Sequence, residues 1–277
     1  MIQAILNYQF MRNAALAALL ASVVCGIMGI VIIEKKLVMM SGGIAHTSYG
    51  GVGLGYLLGF EPIIGAFFFA VAASLGIGAM RRRGNANTDI VISLFWSLGM
   101  ASGILFIAMM DGYPPDLSSY LFGSILSVTK LDLVFIAVLA LVVVFAFFAL
   151  FADWKVYLFD DEFAGIIGVN VPLMENLLMV LIALTVVVLI RVVGIILVLA
   201  LLTAPAATAA LFTVRLKPRV LLSILVSGVF CFTGLWLSYR LNIASGASIV
   251  FVSVLCYLLA FAGKKLYVRA RAAAAQA

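Results

Sequence analysis

The feature that most constrains this chain is a succession of apolar stretches, each about as long as a membrane is thick and separated by short gaps. They run over 13–33, 38–60, 63–80, 90–110, 131–152, 173–190, 193–213, 220–239 and 247–263. A helix needs about 20 mostly apolar residues to cross a hydrocarbon core of about 30 Å. No gap is long enough to hold a soluble domain. The expected fold is therefore all-α: one polytopic transmembrane helix bundle of eight or nine spans, with the count turning on a split at Arg191. Residues 1–269 form the membrane domain, with a cytoplasmic loop at 153–172. The Ala-rich stretch 270–277 is expected to be a disordered tail. Composition agrees: 66% of residues are hydrophobic and 10% charged, against about a quarter charged in soluble domains. The run Leu19–Cys25 has a superficial likeness to a lipoprotein signal. Val24 suits cleavage poorly and the apolar stretch continues to Ile33, so a retained first span is expected.

Basic residues in short loops stay cytoplasmic. With Arg81, Arg82 and Arg83 placed inside and nine spans alternating, 13 of the 17 Lys and Arg residues fall on the inner face. This puts the N-terminus outside and the C-terminus in the cytoplasm of a multi-pass protein of the cell membrane. The net charge of +6 is thus a topology signal, and no nucleic-acid partner is expected.

The inner loop carries Asp153, Asp160, Asp161 and Glu162, four of the 11 acidic residues. Asp160 or Asp161 can cap a short helix with Glu162 in its first turn. Phe159 and Phe163 flank the acids, and Gly168 follows. Such an element can dock a soluble partner or lie on the membrane. Acidic character opposes the second reading, because the inner leaflet is itself negative.

Polar groups inside hydrocarbon are costly and mark candidate functional sites. The one histidine, His46, lies ten residues after Lys36, or about 15 Å along a helix, near the bilayer midplane. Imidazole binds divalent first-row metals. It can equally hydrogen-bond a neighbouring helix. Ser41 and Thr47 are further oxygen donors nearby. Gly51 and Gly55 have the spacing that lets helices approach closely. Pro205 interrupts the hydrogen bonding of the seventh span, which suits a moving pathway wall or tight packing. Arg191 either reaches an outer interface or pairs with a buried carboxylate. Cys25, Cys231 and Cys256 are scattered and read as small apolar residues. There is no P-loop, HExxH or GxSxG motif, so the chain is expected to be a translocation subunit and not an enzyme.

Four segments together resemble the permease subunits of ABC-type zinc/manganese/iron importers. They are Ser41–Gly59 with Ala45-His46; Asp116–Gly123 followed by Ile125-Leu-Ser-Val128; Phe159–Ala164 with Gly168-Val169; and Val193–Ala209 followed by Ser245-Gly-Ala-Ser248. The resemblance implies import of a divalent metal, zinc foremost, with manganese or iron as alternatives. It implies a second permease copy, most simply as a homodimer, a cytoplasmic ABC ATPase dimer, and an extracytoplasmic metal-binding protein. No permanent cofactor is implied, only the transported ion. Phe159 to Gly168 falls on the family's ATPase-coupling helix, and His46 on its metal-binding histidine. Two positions depart from the pattern: Gly42 and Ser124 stand where the family usually has Asp. The first departure keeps open an importer of a metal chelate such as cobalamin or haem. A secondary transporter without an ATPase is a further alternative, although no internal repeat supports it.

Overall fold

The computed structural model describes residues 7–82, 87–110 and 123–274. Eleven helices are present: α1 (Gln9–Glu34), α2 (Val38–Leu58), α3 (Pro62–Arg82), α4 (Thr88–Ala108), α5 (Lys130–Ala149), α6 (Phe151–Phe159), α7 (Asp161–Ile166), α8 (Val171–Val193), α9 (Ile195–Phe212), α10 (Leu216–Leu241) and α11 (Ser245–Ala274). A 3-10 turn covers Ile125–Ser127. There is no strand among the described residues. Arg83 and the outer segment 111–122, including Asp116, lie outside the described residues.

Eight helices are long and apolar enough to cross a membrane. Helix α2 matches α3 and α4 in length, but its glycines, hydroxyls and histidine dilute its hydropathy. The ion pairs show that it crosses too. One layer joins Glu34 to Arg219, Lys35 to Asp161, and Arg81 to Glu175. A second layer joins Arg191 to Asp132 and Glu61. Helix α2 starts beside Lys35 in the first layer and ends beside Glu61 in the second, while α3 returns from Glu61 to Arg81. Both layers sit where side chains leave hydrocarbon, which is where charge is tolerated. With α2 added to those eight, nine helices among the described residues run between the two layers.

The apolar helices surround the polar one. Helix α1 is central, with 72% of its most apolar window buried against 22% for α11. It packs on α5, α9 and α10, whereas α2 is enclosed by α3, α4 and α8. The α2–α3 hairpin is as tight as the gap at Gly59–Pro62 suggests. A Cβ on Gly51 would lie inside the van der Waals envelope of the Gly65 carbonyl, and one on Gly55 would stand 2.7 Å from the Pro62 Cα. Gly51 and Gly55 thus serve helix contact.

Three expectations are corrected. The split near Arg191 falls later: α8 continues through Arg191, and the chain breaks at Gly194, whose φ of 80° favours glycine. The inner loop holds two helices, because α6 folds under the bundle and buries Trp154, whose Nε1 donates to the Ala146 carbonyl at 3.0 Å. Finally, α11 runs on to Ala274, past residue 269. Alanine's high helix propensity favours continuation over a coil starting at 270.

Candidate metal pathway and coupling face

His46 projects from the middle of α2, half-buried. Its ring stacks flat on Trp96 of α4, with centroids 4.1 Å apart and planes 9° from parallel. Its Nδ1 is buried and has no hydrogen-bond partner among the described residues. Such an atom is rare in proteins unless something else occupies it. Gly42 lies one turn earlier on the same face. A Cβ there would stand 3.8 Å from both Leu199 of α9 and Trp96, an ordinary contact. The Gly42/His46 face therefore looks into the seam between α4 and α9, and a Cβ at 42 fits there without displacing a neighbour.

The two secondary candidates are engaged with backbone. The Ser41 hydroxyl donates to the Val38 carbonyl at 2.8 Å. The Thr47 hydroxyl donates to the Gly43 carbonyl at 2.7 Å and lies 3.0 Å from the Phe95 carbonyl. Both retain lone pairs. No group of three or more His, Cys, Asp or Glu side chains converges among the described residues. His46 is the imidazole the described residues offer here, and a carboxylate at position 42 is expected to add a second ligand beside it. Gly42→Asp is expected to tighten metal binding at least tenfold, about 1.4 kcal/mol, as measured by competition with a fluorescent chelator. Pro205 is buried inside the uninterrupted helix α9.

On the inner face, Asp160 is the N-cap of α7, accepting from the backbone N–H of Glu162 at 2.9 Å and of Phe163 at 3.0 Å. Gly168, with φ of 92°, follows the helix. Phe159 is 93% exposed, Ile166 82% and Phe163 52%. Large apolar side chains at such exposure, beyond the spans and beside Glu162, make a knob that a partner can cover. The helix is held from behind by buried Ala164 and by the Asp161–Lys35 ion pair. Lys35 also sits 3.6 Å from the centroid of the Tyr157 ring. Burial pulls the Lys35 ammonium below its usual value while Asp161 opposes the shift. Burial pushes the Tyr157 phenol up to about 12, so it faces Lys35 as a neutral ring near pH 7.

Lys35 is the C-cap of α1, three positions before α2 begins, so its side chain ties α7 to the turn that leads into the His46 helix. Sequence reading misses this latch, since its partners are 126 positions apart. It also misses Trp96, for which the only signal is an indole inside a span. Asp160→Ala is expected to cost about 1 kcal/mol of local stability, seen as faster amide exchange over 161–166 with the spans unchanged.

On the outer face, Arg191 does both things its position allows. It stays partly exposed, and it donates to Asp132 at 2.7 Å and Glu61 at 3.0 Å. Asp132 also forms a capping box with Thr129 at the start of α5.

The profile of the ABC 3 transport family matches residues 7–264. An uncharacterized membrane protein of Synechocystis is 40% identical over 96% of this chain and 94% of its own length. The manganese transport system membrane protein MntC of Listeria monocytogenes is 33% identical over 94% of this chain and 92% of its own. The structure of PsaBC from Streptococcus pneumoniae in complex with a Fab includes a chain that superposes with a TM-score of 0.83. That match has 31% identity and covers 94% of both chains.

Proposed function

The chain belongs to the ABC 3 transport family, and from that premise we propose that it is the permease of an ATP-driven importer of divalent metal, manganese before zinc. It is a multi-pass membrane protein. The order of metals follows the named manganese relative and replaces the zinc-first expectation. The observation that carries the reading is the union, in one bundle, of a midplane imidazole with an unpartnered nitrogen and an N-capped coupling helix latched to the turn that leads into the same α2.

Manganese favours oxygen donors, and imidazole suits zinc and other first-row metals. With Gly42 supplying no carboxylate, His46 holds the ion together with water, at low affinity. That suits a pathway, in which the ion must leave as readily as it enters. Two permease copies enclose the route, a separate ATPase dimer docks on the exposed faces of α7, and an extracytoplasmic binding protein delivers the ion. ATP hydrolysis occurs in the ATPase dimer, and the Asp161–Lys35 contact passes the movement of α7 to α2.

Asp160 is unsuitable for testing docking, since it holds α7 together. Phe159→Ala combined with Phe163→Ala removes mostly exposed apolar surface. The ATPase is expected to be lost on co-purification while the permease keeps its elution volume and melting temperature. Undiminished co-purification would count against the docking role.

A further inference from the structure

Beside the coupling helix lies a cavity of about 440 Å³ whose basic lining the transport reading does not use. Phe151, Leu158 and Phe159 of α6 form its apolar side, Phe159 being the point where the cavity borders the docking knob. Lys155, Arg215, Lys217 and Arg219 line it, against a single carboxylate, Glu34. Glu34 is paired with Arg219, which also donates to the Thr213 carbonyl at 2.8 Å. Lys155, Arg215 and Lys217 are exposed and make no ion pair among the described residues. The Lys217 ammonium lies 4.9 Å from the Phe151 ring centroid. Three unneutralised cations around an apolar wall leave the cavity short of a ligand that is anionic at one end and greasy at the other.

Its height in the membrane narrows the chemistry. The cavity sits where α9 ends at Phe212 and α10 begins at Leu216, on the side to which the basic residues orient the bundle. That is the level of the phosphates of the inner leaflet. Basic pockets between spans on this side suit anionic headgroups. The neighbouring coupling face is acidic at Asp160 and Glu162, so a partner complementary to it would not also complement this cavity. We propose that the cavity binds one anionic phospholipid of the inner leaflet. Its phosphate is held by Lys155, Arg215 and Lys217, and its acyl chains lie along Phe151 and Leu158. The same cations would accept free phosphate, so the two sources must be separated.

Native mass spectrometry of the permease, alone and with its ATPase, does this when phosphatidylglycerol, phosphatidylcholine or inorganic phosphate is titrated in detergent. The expected result is one saturable phosphatidylglycerol adduct per permease in both states, with neither phosphatidylcholine nor inorganic phosphate displacing it. Combining Lys155→Ala, Arg215→Ala and Lys217→Ala should weaken the adduct at least tenfold. The charge-conserving set Lys155→Arg, Arg215→Lys and Lys217→Arg should keep it. Equal retention of phosphatidylcholine, or an unchanged adduct in the alanine variant, would overturn the proposal. Displacement by inorganic phosphate would make the cavity a free-anion site and overturn the lipid assignment. An adduct lost on ATPase binding would assign the cavity to that partner instead. The readout counts bound lipid and does not depend on transport.

Discussion

Replacing His46 with Ala is expected to abolish metal-dependent uptake while leaving the bundle folded. His46 is the one histidine of the chain, and no group of three or more His, Cys, Asp or Glu side chains converges among the described residues. Its removal strips the midplane of the one group that can replace part of the ion's hydration shell. The structural cost is small. The ring is half-buried, and its stacking on Trp96 is worth about 1 kcal/mol. Part of that loss is offset by removing a buried nitrogen without a partner. The variant should therefore express, insert and keep its ATPase, yet carry no more metal into proteoliposomes than vesicles without ATP. His46→Gln, which keeps a polar group of similar reach but a harder donor, should restore little of the uptake. Wild-type rates in the alanine variant would remove His46 from the pathway.

The second large effect falls on stability. Gly51→Ala is expected to destabilise the protein by about 3 kcal/mol, since overpacking a close contact costs about 1–3 kcal/mol and no flexible side chain is available to move. Gly51 faces the Gly65 backbone, and Gly65 faces that of Gly51 in return, so an added methyl group drives the whole hairpin apart. The same exchange at Gly42 meets only ordinary contacts at 3.8 Å. There it gains helix propensity of up to about 1 kcal/mol. The two variants should move the thermal melting temperature in opposite directions, although both turn a glycine of α2 into alanine. A shift of the same sign in both would mean that the α2–α3 contact is looser than described. Because the hairpin carries His46, Gly51→Ala should also lower uptake in the protein that does fold.

The spans, the orientation and the α7 cap were legible because each is set by local pattern. Length and apolarity mark a crossing, Lys and Arg mark its inner end, and Asp160 before Glu162 marks a helix start. His46 stood out for the same reason, as a costly group in an apolar setting. The features that join these pieces were not legible. The Asp161–Lys35 latch and the Arg191 contacts with Asp132 and Glu61 bridge positions far apart in sequence. Many Lys–acid pairings are open to a bundle before its helices are placed. Arg191 shows the ambiguity: its neighbours allowed either an interface or a carboxylate, and packing delivered both. Trp96 was equally hidden, since nothing in α4 says which side of an indole a histidine will meet. The extent of α6 was missed because it is too short to read as a span and Asp153 and Lys155 interrupt its apolar residues. At Gly42, where the resemblance implied an Asp, the structure adds a physical fact: a Cβ there meets only ordinary contacts.

The most direct test of the central claim is metal-stimulated ATPase activity of the permease co-purified with its ATPase, in lipid and with the binding protein present. Manganese, zinc and ferrous iron are compared for the wild type and His46→Ala. The expected result is stimulation by manganese above zinc in the wild type and none in the variant, with the complex intact in both. An intact complex that no metal stimulates, or equal stimulation with and without His46, would contradict it.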